Sequence, residues 1–101
     1  MVLKDGVILN GLNIKMRQVL IAAEKVWKKY GMEDGVTITS GLDGCHAAGS
    51  RHYYGLALDM RTKYFTDEIK NQVAYELEAK LTDDYLVIVE STHIHVQYNR
   101  V

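Results

Sequence analysis

Two short segments hold most of the side chains able to do acid–base or metal chemistry. Residues 50–59 read SRHYYGLALD and residues 90–95 read ESTHIH. The chain has only four histidines. Three of them, His52, His93 and His95, fall in these segments, together with the carboxylates Asp59 and Glu90. Imidazole and carboxylate are common zinc ligands, and a catalytic zinc takes three protein ligands and keeps a position open for water. Gly55, between His52 and Asp59, lets the backbone turn between them. If the strands carrying Asp59 and the late histidines are neighbours, His52, Asp59 and one or both of His93 and His95 meet on one face. Glu90 is then close to them in sequence. Each residue also has a plainer role open to it: a loop histidine at His52, a solvent-facing carboxylate at Asp59, a charged strand end at Glu90, a surface pair at His93 and His95. The plain roles explain poorly why all five fall in two segments that one fold can join.

The elements that would position these groups follow from periodicity. Met16, Val19, Leu20, Ala23, Val26, Trp27 and Tyr30 repeat at i, i+3, i+4 and predict a helix within residues 12–30, with Gly31 as its stop. Residues 36–40, VTITS, are β-branched and predict a strand. GLDGCHAAGS at 41–50 is rich in glycine and small residues and reads as a loop. LALDMR at 56–61 alternates, which predicts a half-buried strand with Asp59 on the side opposite Leu56 and Leu58. Thr66 is the expected N-cap of a second helix, whose stripe is Ile69, Val73, Ala74, Leu77 and Leu81. The unbroken apolar run YLVIVE at 85–90 reads as a central strand buried on both faces. HIHVQY at 93–98 alternates, with His93, His95 and Gln97 on one face and Ile94, Val96 and Tyr98 on the other. Ser91-Thr92 is the expected turn between these two strands. The order predicts an α+β domain: a mostly antiparallel sheet of about four strands with two helices on one side.

Composition bounds the rest. Residues 1–101 read as a single domain. A net charge of −1 argues against electrostatic capture by nucleic acid or an anionic membrane, both of which need a basic face. The single cysteine, Cys45, excludes an intramolecular disulfide. Lys4, Asp5, Asn10, Asn13 and Lys15 interrupt the N-terminal stretch, so no signal peptide is expected. No apolar run reaches the roughly 18 residues of a membrane span. Synthesis in the cytoplasm is the expectation.

Ser50, His52, Gly55, Ala57 and Asp59 fit the pattern S-x-H-x-x-G-x-A-x-D at every fixed position. That pattern resembles the first zinc motif of the D-alanyl-D-alanine carboxypeptidase family of metallopeptidases, which includes phage endolysins that cut L-alanyl-D-glutamate bonds. His93-Ile94-His95 resembles the H-x-H motif of the wider group, which also holds lysostaphin-type endopeptidases and the hedgehog signalling domain. The resemblance covers roughly residues 36–98. It implies a hedgehog/DD-peptidase-like fold and a Zn2+ ion held by His52, Asp59 and His95. His93 would stand beside the metal as a donor to the oxyanion, and Glu90 would be the acid/base. A second register is open: Glu90-Ser91-Thr92-His93 also satisfies E-x-x-H, which would make His93 the third ligand. The implied activity is zinc-dependent hydrolysis of peptidoglycan stem or cross-link peptides, by a chain that reaches the wall through lysis or phage machinery.

The chain departs from the family at one point. Many members carry an arginine soon after the Ser-Gly that follows the first strand, to hold a substrate carboxylate. Here Ser40-Gly41 continues as Leu42-Asp43-Gly44. Arg51 and Arg61 are the candidates to replace it. The loop with His46 and Cys45 looks closer to the acidic, histidine-bearing hedgehog version. The resemblance therefore also implies an alternative, a zinc-binding interaction domain without hydrolysis. Tyr53 and Tyr54 are the tyrosines placed to touch a substrate.

Overall fold

The computed structural model describes residues 1–42 and 55–99. It holds β1 (Val2–Leu3), α1 (Arg17–Lys29), β2 (Thr37–Ser40), β3 (Ala57–Arg61), α2 (Asp67–Lys80), β4 (Tyr85–Val89) and β5 (His93–Tyr98). The sheet order is β1-β2-β3-β5-β4. The architecture is thus α+β with two helices, as the periodicity predicts. The expected mostly antiparallel sheet of about four strands has five and is mixed, because β1 pairs with β2 in parallel. The other three pairings are antiparallel. β5 therefore lies between β3 and β4, and its histidines stand beside Asp59.

Local chemistry sets each helix. A single 3-10 turn, Ile14–Met16, leads into α1, and the Asn13 side chain caps it by accepting from the Lys15 N–H at 2.9 Å. At the other end Gly31 takes φ +95°, and the Met32 N–H reaches back to Trp27 O at 3.0 Å, closing the helix in the Schellman manner. Thr66 caps α2 by accepting from the Ile69 N–H, and Asp67 and Glu68 complement the helix dipole in its first turn.

Both helices pack on one face of the sheet. Val19, Ala23, Val26 and Trp27 of α1 and Val73, Ala74 and Leu77 of α2 share one core with Ile38, Leu58, Met60, Ile94 and Val96. Each fully buried large apolar side chain contributes about 1.5–3 kcal/mol relative to exposure. Trp27, fully buried, donates its indole N–H to Arg61 O at 3.0 Å and ties α1 to the end of β3. No helix among the described residues is long and apolar enough to cross a membrane.

The position of β4 differs from expectation. It is a sheet edge, and Leu86 and Val89 are each 40% exposed. Its apolar run has two separate uses. Tyr85 and Val87 pair with Tyr98 and Val96 over the core, whereas Leu86 and Ile88 pair with Gln97 and His95 on the opposite face. An apolar residue on both sides of a strand does not require a strand on both edges.

Candidate metal centre

The face of the sheet away from the helices carries the chemistry. Alternation along β3 puts Ala57, Asp59 and Arg61 on it, and Leu58 and Met60 in the core. The same rule along β5 selects His93, His95 and Gln97. Register then makes the pairs: Arg61 opposite His93, Asp59 opposite His95, Ala57 opposite Gln97. β4 adds Leu86 and Ile88 beside them as an apolar border. One residue beyond its last pair, the Glu90 N–H donates to His93 O at 2.9 Å across the tight turn. Lys70 of α2, with only 12% of its side chain exposed, fixes that turn by donating to Glu90 O at 3.2 Å and Ser91 O at 3.3 Å.

The glycine of the SRHYYGLALD segment has a steric cause. Gly55 takes φ +69°, and a Cβ on it would lie 2.6 Å from Gly11 O and 3.0 Å from Asn13 N. Its own carbonyl accepts from the Asn13 N–H at 2.8 Å. The backbone ahead of α1 thus crosses directly against the entrance to β3. On the other side of β3, pairing shifts from Ile38–Met60 to Ser40–Asp59, leaving Thr39 as an extra residue in β2. The Thr39 hydroxyl donates to Asp59 O at 3.3 Å.

Asp59 and His95 form the centre. Asp59 Oδ1 lies 2.8 Å from His95 Nδ1, and their side chains are only 15% and 16% exposed. His95 Nε2 is 2.8 Å from Gln97 Oε1, and the Gln97 amide donates in turn to Asn99 Oδ1 at 2.6 Å. This chain presents an acceptor to each ring nitrogen, which suits imidazolium. The Asp59 hydrogen bond accordingly raises the His95 pKa, with help from Gln97 and the charge of Glu90, against the opposing effect of burial. His93 is more open, at 31% exposed, with Nε2 3.9 Å from Asp59 Oδ2 and Nδ1 3.2 Å from Thr92 Oγ1.

Of the sequence-predicted site residues, Asp59, His93 and His95 come together, and Glu90 stands at the rim. His52, His46, Cys45, Arg51, Tyr53 and Tyr54 lie outside the described residues. Among the described residues no three His, Cys, Asp or Glu side chains converge as a metal-binding set. Asp59 and His95 offer two donor atoms of the types zinc accepts, close enough to face one ion. With Nδ1 so directed, Gln97 holds the other ring nitrogen, the support a ligating histidine needs. Sequence reasoning placed Gln97 on the histidine face without giving it this role; the signal was the alternation H-x-H-x-Q. Compared with known proteins, the chain matches no family model, no curated protein and no solved structure.

Proposed function

We propose that the protein is a zinc-dependent peptidase that hydrolyses peptidoglycan stem or cross-link peptides, on a hedgehog/DD-peptidase-like fold. The observation that carries the reading is the Asp59–His95 pair on adjacent strands, 2.8 Å apart, with His93 and Glu90 toward the same face. Asp59, His95 and His52 would hold the ion. His95 is favoured over His93 as ligand because it is the histidine bonded to Asp59 and the one whose second nitrogen is held by Gln97. Bound zinc supplies a Lewis acid for the scissile carbonyl and lowers the pKa of water toward about 7.

The remaining work falls to the chain's own side chains. Glu90 is exposed, and among the described residues its carboxylate makes no hydrogen bond or ion pair, so it is open to accept a proton from the attacking water. It then passes that proton to the leaving amine. His93, beside Asp59 and half open to solvent, donates to the developing oxyanion. Leu86 and Ile88 give one flank an apolar border. The enzyme would meet its substrate when lysis or phage machinery brings it to the wall.

The test is release of peptides from purified peptidoglycan by the zinc-loaded protein. Glu90→Gln should keep its zinc and lose turnover by about a hundredfold or more, the usual weight of a general base. Tight zinc binding by the wild type with no peptide released would replace this reading with that of a zinc-binding interaction domain of the hedgehog kind.

A further inference from the structure

The outer face of α2 gathers side chains that the fold does not use. Val73, Ala74 and Leu77 take the core side of this helix. Glu68, Asn71, Gln72, Tyr75 and Glu78 repeat at i, i+3, i+4, i+7 and i+10 and form the stripe turned to solvent. Tyr75 is 76% exposed. Among the described residues its hydroxyl makes no hydrogen bond and its ring meets no other ring. One exposed aromatic is ordinary on a protein surface. What distinguishes Tyr75 is a hollow on each side of it. One, of about 440 Å³, lies toward the N-terminal half of α2, between Tyr75, Tyr30 and the side chains of Glu68, Asn71, Gln72 and Glu76. The other, of about 340 Å³, runs from Tyr75 past Glu78, Thr82 and Asp83 to Tyr85. Tyr75 belongs to both walls, so the two meet at its ring as one shallow groove across the helix.

The lining selects a ligand by exclusion. Among the described residues no lysine or arginine lines either hollow, whereas Glu68, Glu76, Glu78 and Asp83 do, so an anion is repelled. A purely apolar ligand would strip water from Asn71, Gln72 and these carboxylates and give nothing back. A cation meets competitors already in place. Lys29 is paired with Glu76 and lies 5.8 Å from the centroid of the Tyr30 ring. Tyr30 gives its hydroxyl to Glu76 as well, and Lys80 adds its charge to the same carboxylate. What remains is an uncharged ligand whose hydroxyls both donate and accept. The amides of Asn71 and Gln72 offer both kinds of partner, and the Glu68 carboxylate, unpaired among the described residues, accepts. The free ring of Tyr75 offers a flat apolar face that attracts C–H bonds through its quadrupole. A pyranose with equatorial hydroxyls has this combination: C–H bonds on its faces and hydroxyls around its rim. We propose that the groove across α2 binds a neutral saccharide chain, with one sugar stacked on Tyr75 and its neighbours in the hollows on either side. α2 covers the face of the sheet opposite Asp59 and His95, so this is a separate site. It stands whether or not the protein is a peptidase.

The experiment is a nuclear magnetic resonance titration of the isotope-labelled protein. The probes are chitotetraose, cellotetraose, the monosaccharide N-acetylglucosamine, and trilysine. Wild type should bind one or both tetrasaccharides, with the shifts gathered on the backbone of residues 68–83 and on the side-chain amides of Asn71 and Gln72. The bound tetrasaccharide should be held about tenfold or more tighter than the monosaccharide, because it reaches both hollows. Tyr75→Ala should weaken binding about fivefold or more, the weight of one aromatic stack. Its melting temperature should stay that of wild type, since the ring is exposed. Tyr75→Trp should keep the binding. No binding of either tetrasaccharide, shifts that lie away from α2, or undiminished binding by Tyr75→Ala each overturns the proposal. So does trilysine bound along α2 more tightly than both sugars, which would make the groove a surface for basic peptides. Release of wall peptides is read separately, so its failure removes the peptidase reading and leaves this site standing.

Discussion

Replacing Gly55 by alanine separates two costs that a glycine in a sequence motif can hide. One is conformational: φ +69° is unfavourable for any residue with a Cβ. The other is steric: the new Cβ would lie 2.6 Å from Gly11 O, 3.0 Å from Asn13 N and 3.2 Å from Leu12 Cα, all backbone atoms that no rotamer change can move. Gly31 supplies the control. It takes φ +95° with nothing within 4 Å of a built Cβ, so Gly31→Ala carries the conformational cost alone, about 1–2 kcal/mol. Gly55→Ala adds overpacking, about 1–3 kcal/mol, and strains the Asn13–Gly55 hydrogen bond, worth about 0.5–1.5 kcal/mol. The total is about 2.5–6.5 kcal/mol against a domain stability of roughly 5–15 kcal/mol. Urea denaturation of the two variants beside wild type measures both terms. Gly55→Ala should lie at least about 1.5 kcal/mol below Gly31→Ala and should also bind zinc more weakly, since Gly55 leads into the strand that carries Asp59. Equal destabilisation within about 0.5 kcal/mol would refute the crossing of residues 11–13 against β3 as the reason for this glycine.

Three further outcomes follow from single contacts. Among the described residues Thr62 Oγ1 is buried without a hydrogen-bond partner, so Thr62→Val should raise stability by about 1 kcal/mol and the melting temperature by a few degrees; an unchanged or lower melting temperature would contradict that. Lys70→Met should cost about 1–2 kcal/mol in denaturation and slow turnover with zinc retained, because it frees the turn that carries Glu90; unchanged turnover would separate Lys70 from the site. Burial opposes the charge of Glu24, but the Met1 ammonium, the Val36 N–H and Lys28 outweigh it and hold its pKa below the ordinary 4.5. A depressed carboxylate stabilises above its unfolded pKa and loses that contribution as pH falls through the folded value. Wild type should therefore lose its advantage over Glu24→Gln as pH is lowered below about 4.5, and an advantage independent of pH would contradict the assignment.

Much of this arrangement was legible because it rests on alternation. The polar parity of Asp59, His93, His95 and Gln97 within apolar strands fixes which face each one takes before any partner is known. The stripe from Met16 to Tyr30 and the cap at Thr66 fixed both helices in the same way. What alternation does not carry is which strand lies beside which. β1 escaped notice because two exposed residues, Val2 and Leu3, have no pattern; backbone bonds to Val36 and Ile38 hold the strand in place. β4 was misplaced because an apolar run reports two occupied faces and says nothing of its edges. Which of His93 and His95 lies opposite Asp59 also needed register, since their shared parity makes them equivalent until the strands are paired.

The central claim is that Asp59 and His95 hold a zinc ion. Zinc content after exhaustive dialysis tests it most directly, measured on wild type, Asp59→Ala, His95→Ala and His93→Ala whose folding is verified by circular dichroism. The expected result is one zinc per chain in wild type and His93→Ala, and none in Asp59→Ala or His95→Ala. A wild type that retains no zinc, or a His95→Ala variant that keeps the metal His93→Ala loses, would contradict it.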